Sequence, residues 1–145
     1  MPIFRAWIDA AFSQGIDMTQ QQFAGRTCTE WNRDWKPLKD GLSQRHADLR
    51  GSVGVFRLRL GKEVVYIGCG REYSKGGLMK RLFDFSRESD SGRKHHAGQK
   101  IYEHRATLEV DVIVTGTDYS AGVIAQRLKG ALLGMKKPAW NVART

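Results

Sequence analysis

The stretch from Gly54 to Arg81 constrains the fold more than any other part of this chain. It contains two runs, FRLRL and EVVYI, that are rich in β-branched and aromatic residues. Gly61 and Lys62 separate the runs, and a two-residue connection that begins with glycine is typical of a β-hairpin. Side chains alternate between the two faces of a strand, so the first run turns one face to the core. Arg57 and Arg59 are predicted to lie on its other face, toward water or an anion.

A glycine-containing loop and an amphipathic helix follow the hairpin. Leu78, Leu82 and Phe85 recur at helical spacing, which predicts a helix with one buried stripe. Lys80 and Arg81 lie on the same helix, outside that stripe. The hairpin therefore leads directly into a helix that carries positive charge.

The rest of the C-terminal half predicts two helices and one more strand. A helical segment is expected over about residues 95–105, and the alternating residues 108–115 predict a third strand. Thr117 or Asp118 is expected to cap a final helix, which has an apolar stripe from Ala121 to Leu132. The predicted fold is an α/β sandwich, a three-stranded antiparallel sheet flanked by helices.

The first fifty residues are predicted to form a helical N-terminal extension, with residues 51–145 as the folded domain. Phe4, Trp7, Ile8 and Phe12 share one helical stripe. We favour the interpretation that the aromatic residues of this extension pack it onto the core. The alternative is an arm that contacts DNA or dimerises, and the sequence leaves a homo-oligomer open.

Charge is the compositional feature that bears on function. The net charge is +9 and the isoelectric point is about 9.9, which favours a polyanionic partner, with nucleic acid ahead of a membrane surface. No apolar run has the length of a membrane span, and the N-terminus lacks the apolar core of a signal peptide. Cys28 and Cys69 show no metal-ligand spacing, so reduced thiols in a cytoplasmic protein are expected.

Three dispersed motifs of this chain resemble the GIY-YIG nuclease family. They are the triplet Gly54-Val55-Phe56, the triplet Tyr66-Ile67-Gly68 and the segment GLMKRL, and they occur in the family's order. The C-terminal segment LKGALLGMKKPAWN is similar to the family's closing pattern, so the resemblance covers about residues 53–142. It implies a GIY-YIG-like sandwich that hydrolyses phosphodiester bonds of double-stranded DNA with one divalent cation.

The resemblance also implies roles for individual residues. Tyr66 would activate the nucleophile or orient the phosphate, and Arg81 would hold the scissile phosphate. Asn141 would anchor the C-terminal turn near the site or take part in catalysis. His95 or His96 would add an acid–base or phosphate contact, the alternative being a surface histidine. Further basic residues are predicted to contact the nucleic-acid backbone: Arg57, Arg71, Lys75, Lys80, Lys94 and Lys100.

Three positions depart from the family's pattern. Phe56 stands where the first triplet has tyrosine, and Phe85 stands where relatives carry histidine or tyrosine. Lys129 stands where the closing pattern has the glutamate that binds the metal. An active form would use Mg²⁺ or Mn²⁺ as its cofactor. An ammonium group has no lone pair to donate to a metal ion, so no divalent cation is expected beside Lys129.

The predicted function is therefore a GIY-YIG-type DNA endonuclease that is inactive in this chain because Lys129 replaces the metal ligand. One alternative is a natural non-cleaving DNA-binding or inhibitory module on the same fold. A second alternative is a protein–protein interaction module that uses the tryptophan-rich N-terminal segment. Salt-sensitive DNA binding separates the last of these from the other two.

Overall fold

The structure of the protein, a computed structural model, describes residues 21–87 and 96–141. Its strands are β1 (Gln22–Phe23), β2 (Arg26–Thr27), β3 (Lys36–Leu38), β4 (Val53–Leu60), β5 (Glu63–Gly70) and β6 (Glu109–Gly116). Its helices are α1 (Cys28–Trp31), α2 (Gly77–Ser86), α3 (His96–Glu103) and α4 (Tyr119–Met135). None of these helices is both long and apolar enough to cross a membrane.

The main sheet has four antiparallel strands in the order β3-β6-β4-β5. The predicted hairpin is confirmed, since β4 and β5 are neighbours joined by Gly61 and Lys62. Gly61 has φ +62°, a left-handed conformation that glycine adopts without a steric penalty. β4 lies in the middle of the sheet, whereas β5 forms one of its edges.

The sheet has four strands and not the three that the sequence predicts. The additional strand, β3, comes from the predicted N-terminal extension and pairs Lys36–Leu38 with Val110–Val112 of β6. Pro37 fits there because an edge strand needs no outward N–H donor, and proline has none. A three-residue strand is too short to show an alternating pattern, so the sequence carried no signal for it.

The prediction that the extension is helical is wrong for its described part, residues 21–50. Here α1 is a single turn of four residues, accompanied by a short 3-10 turn, and the other regular elements are strands. The chain reverses between β1 and β2 through Ala24 and Gly25, both with positive φ. It turns again at Asp40 and Gly41, which also have positive φ. Four left-handed residues in so short a segment are incompatible with a continuous helix.

Helices cover both faces of the sheet. Against one face, Phe56, Leu58 and Tyr66 pack on side chains of α2 and α3, among them Leu82 and Ile101. Against the other face, α4 packs its predicted apolar stripe on strand residues such as Val55, Ile67 and Ile113. The side chain of Asp118 accepts a hydrogen bond from the Ala121 backbone N–H, which confirms the predicted cap of α4. The mixed α/β class is therefore confirmed.

Residues on both sides of the predicted boundary after residue 50 share the core on the α4 side. Phe23, Cys28 and Trp31 are buried there against α4. The Trp31 ring N–H donates to the Phe23 carbonyl at 2.8 Å. Burial raises the pKa of the Cys28 thiol to about 11, so this thiol stays protonated. The prediction that the aromatic residues of the extension pack onto the core is confirmed for Phe23 and Trp31.

Arg57 and Arg59 contact a buried carboxylate on the neighbouring strand. Each donates from its Nε to Asp111 Oδ2 at 2.7 Å, and the Asp111 side chain is only 3% exposed. Arg57 also lies 4.6 Å from the centre of the Trp35 ring. The register causes this arrangement, because Arg57 and Asp111 are directly opposite each other on β4 and β6. The anion that Arg57 faces is thus a carboxylate of the protein itself, and the Arg57 side chain stays 27% exposed. Its predicted contact with nucleic acid stays a prediction.

Replacing Asp111 with asparagine is expected to lower the free energy of unfolding by about 2–3 kcal/mol at pH 7, because hydrogen bonds to charged groups are worth about 1.5–3 kcal/mol. Burial alone would raise the pKa of Asp111, but the hydrogen bonds and charges of Arg59 and Arg57 outweigh it, so the pKa lies below its ordinary value of 3.8. The carboxylate therefore stabilises the folded protein above pH 3.8, and this contribution is lost as the pH falls through the lower, folded-state pKa.

Urea unfolding of wild type and Asp111→Asn between pH 7 and strongly acidic pH measures this contribution. The difference between the two proteins should be constant above pH 3.8 and shrink below it. A difference that stays the same down to the lowest pH would show that the charge of Asp111 does not stabilise the fold.

Candidate nucleic-acid interface

A cleft of about 600 Å³ opens at the free edge of β5, between α2 and α4. It is lined by Cys69, Gly70, Arg71, Glu72, Gly77, Lys80, Arg81, Asp84, Gln126 and Lys129. Two glycines let neighbouring backbone segments come close together around the cleft. A Cβ atom on Gly70 would lie 2.7 Å from the Cα atom of Leu78 at the start of α2. A Cβ atom on Gly122 would lie 2.8 Å from the carbonyl oxygen of Arg71, so glycine also lets α4 approach the loop after β5. We call this space the β5-edge cleft.

Positive charge predominates in the β5-edge cleft, which four cationic side chains line against the carboxylates of Glu72 and Asp84. Two of the four cations have polar partners. Arg71 donates to the Gln126 side-chain oxygen at 2.9 Å, and Lys80 donates to Asp84 at 2.7 Å. The other two, Arg81 and Lys129, make no hydrogen bond or ion pair with any residue in the described ranges. Their charges, on opposite walls of the cleft, therefore have no counter-charge within the described part of the chain.

Arg81 and Lys129 are brought together as the resemblance implies, but Tyr66 does not line the cleft. Tyr66 is 5% exposed and packs between Phe56 and Phe85, with ring centroids 6.0 and 6.1 Å away. The Arg81 guanidinium lies 5.0 Å from the centre of the Phe85 ring. The two phenylalanines complete an apolar aromatic cluster that holds Tyr66 in the core on the α2 side of the sheet. This placement weighs against Tyr66 as a group that contacts substrate.

Asn141 has a structural position at the edge of β5. Its side-chain oxygen accepts from the Ile67 backbone N–H at 2.9 Å, and its side-chain nitrogen donates to the Ile67 carbonyl at 2.8 Å. The amide of Asn141 thus replaces a further strand at the edge of β5. Of its two predicted roles, the contacts support the anchoring role.

The orientation of Ile67 also identifies a donor that the sequence did not predict. Backbone groups of an edge strand point alternately toward the neighbouring strand and away from it. The backbone N–H and C=O groups of Ile67 point toward Asn141 and away from β4. The backbone groups of Cys69, two residues later, therefore point away from β4 as well. Cys69 lines the β5-edge cleft, so its backbone N–H is available to an anion there. No sequence pattern could show this, because it depends on β5 being an edge strand.

The remaining predicted contact residues are dispersed. Arg71 and Lys80 line the cleft, whereas Arg57 is paired with Asp111. Lys100 lies on α3, 6.0 Å from the centre of the Trp140 ring, and does not line the cleft. The predictions for Lys94 and His95, and for the side chains of Lys75 and His96, lie outside the part of the chain that the structure describes.

The residues of the β5-edge cleft do not fit a divalent cation. Asp84, one of its two carboxylates, is already bound by Lys80 at 2.7 Å and by Arg87 at 2.9 Å. Lys129 adds a charge that repels a cation. Within residues 21–87 and 96–141, no group of three or more His, Cys, Asp or Glu side chains is arranged to hold a metal ion. The arrangement suits an anion.

No protein-family model matches this chain, and neither a curated protein nor a solved structure matches it significantly. The class of site is therefore argued from the chain's own residues. What they define is a mixed α/β protein with a cationic cleft at an open sheet edge.

Proposed function

We propose that this protein binds the sugar–phosphate backbone of double-stranded DNA in the β5-edge cleft and leaves the DNA uncut. The observation that carries the proposal is the pair Arg81 and Lys129, two cations on opposite walls of one cleft with no partner among the described residues. A phosphate between them would receive charge-assisted hydrogen bonds from both side chains and one more from the Cys69 backbone N–H.

The choice of nucleic acid as the anion is supported by the charge of the whole chain and by the family resemblance. A net charge of +9 exceeds what one phosphate would require and favours a polymer of phosphates. The absence of cleavage follows from the contents of the cleft. Hydrolysis by the metal-dependent route needs an acceptor-rich cation site, and the cleft presents an ammonium group instead.

Removing either charge is expected to weaken DNA binding and to reduce its dependence on salt. Each phosphate contact contributes about 0.9 to the slope of log affinity against log salt concentration. Arg81→Gln and Lys129→Gln should therefore each lower that slope by about one unit, and the double variant by about two. Fluorescence anisotropy with a labelled duplex over a salt series measures the slope.

Lys39→Gln is the matched control, because Lys39 is exposed and does not line the β5-edge cleft. It removes the same charge from the protein and should leave the slope nearly unchanged. Equal effects of all three single substitutions would show that the net charge, and not the cleft, binds DNA. A flat salt response of the wild type would support the protein–protein module instead.

One observation also favours the endonuclease as a second candidate. Arg81 and Lys129 meet in one cleft, as the resemblance implies for the family's arginine and its metal-binding glutamate. On this view the cleft is a nuclease site in which Lys129 replaces the metal ligand. Restoring a carboxylate at position 129 distinguishes the two candidates.

A further inference from the structure

A second cavity, of about 440 Å³, lies on the other side of α2 from the β5-edge cleft. Lys80 and Asp84 line both spaces, so the ion pair between them forms the ridge that separates the two. We call the second cavity the Tyr73 pocket. A polymer bound in the β5-edge cleft can therefore enter the Tyr73 pocket by crossing this ridge.

The Tyr73 pocket is also cationic. Its described lining includes the cations of Arg45, Arg50, Lys80 and Arg87 and one carboxylate, that of Asp84. Asp84 is shared by Lys80 and Arg87, so Arg45 and Arg50 have no carboxylate partner among the described residues.

The Phe83 ring positions the guanidinium groups at the wall of the pocket. The guanidinium carbon atoms of Arg45 and Arg87 lie 5.2 and 5.0 Å from the centre of the Phe83 ring. The contact with Phe83 positions Arg45 without neutralising its charge, whereas Arg87 is also paired with Asp84. An anion that enters the pocket would therefore find Arg45 already positioned.

Tyr73 lines this pocket with an aromatic ring that is accessible to a ligand. Its side chain is 43% exposed, and its ring contacts no other aromatic ring or cation in the described part of the chain. It stands on a 3-10 turn, Tyr73–Lys75, that ends at Gly76 with φ +99°. An exposed ring beside a cluster of arginines is the combination that single-stranded nucleic acids use, the ring for a base and the cations for phosphates.

We propose that the Tyr73 pocket binds an unpaired nucleotide that adjoins the duplex in the β5-edge cleft, with the base stacked on Tyr73 and its phosphate beside Arg45 and Arg50. The inference rests on the proposed function and adds a substrate class, DNA in which a duplex meets a single strand. Base pairs inside a duplex cannot stack on Tyr73, because both of their faces are covered by neighbouring base pairs. The interior of a duplex therefore uses the cleft alone.

The test compares the affinity of the full chain for a blunt duplex with its affinity for the same duplex carrying a short oligo-dT overhang, with both probes measured over the same series of salt concentrations. The overhang should tighten wild-type binding on the order of tenfold, as expected for one stacked base. Tyr73→Ala should remove this gain and leave blunt-duplex affinity unchanged. Tyr73→Phe, which keeps the ring, should retain it. Arg50→Gln should lower the salt slope for the overhang probe and not for the blunt one.

The outcomes separate this inference from the proposed function. If wild type binds both probes equally, or if Tyr73→Ala keeps the preference, the single-strand inference is overturned and duplex binding in the cleft stands. If wild type binds neither probe in a salt-dependent way, the proposed function itself fails. If both Tyr73→Ala and Tyr73→Phe lose the preference for the overhang probe, stacking on the aromatic ring is not its cause. Thermal unfolding of each variant confirms that it is folded.

Discussion

Lys129→Glu is expected to give the protein Mg²⁺- or Mn²⁺-dependent cleavage of double-stranded DNA, which we expect the wild type to lack, if the cleft is a nuclease site without its metal ligand. The substitution would replace a repelling ammonium group in the cleft by a carboxylate, and hard divalent cations prefer such oxygen ligands. Several kcal/mol of transition-state stabilisation by a metal correspond to on the order of 10³-fold in rate. Arg81 is already placed to hold the phosphate from the opposite wall.

A gel assay of plasmid cleavage with and without each metal gives the rate, and calorimetry with Mn²⁺ gives metal binding separately. Lys129→Gln and Lys129→Ala are the controls, because both remove the positive charge without adding an acceptor. They should stay inactive, which distinguishes regained metal binding from loss of a repelling charge. If Lys129→Glu binds both DNA and Mn²⁺ but leaves the DNA uncut, the nuclease candidate is rejected. The burial of Tyr66 between Phe56 and Phe85 would then explain the missing activity.

Gly54→Ala is expected to destabilise the fold by about 3 kcal/mol, the upper end of the usual cost of overpacking a core. Gly54 is buried on the central strand β4, and a Cβ atom there would overlap the backbone carbonyl of Ile113 on β6. A side chain could turn away, but a backbone carbonyl cannot move without breaking the ladder between the two strands. Urea unfolding monitored by circular dichroism measures the loss.

Gly134→Ala is the matched control, since it adds the same methyl group at an exposed position of α4. Alanine is favoured over glycine in a helix by about 1 kcal/mol, so this variant should be more stable than wild type. An unchanged unfolding midpoint for Gly54→Ala would show that β4 and β6 can separate at this point without cost. It would also remove the steric reason for glycine in the first triplet of the motif.

The elements that sequence alone determined are those with a pattern longer than a turn. The hairpin of β4 and β5, the strand β6 and the helices α2, α3 and α4 were predicted close to their observed bounds. The apolar residues of each strand recur every two residues, and those of each helix every 3.6 residues. Gly61 is characteristic of the hairpin turn, and Asp118 is characteristic of the cap of α4. Arg81, Lys129, Arg71 and Lys80 were also predicted as site residues, and all four line the β5-edge cleft.

What only the tertiary structure decided depends on which elements become neighbours. β3 completes the sheet, yet its three residues show no period. Arg57 was predicted to face solvent or an anion, and only the register of β4 on β6 shows that an anion beside it is Asp111. Tyr66 belongs to one of the motifs that carry the family resemblance, but Phe56 and Phe85 pack against it in the core. The cleft itself exists because β5 ends the sheet. Sequence patterns report contacts within one element, whereas strand order and register set the contacts between residues far apart in the chain.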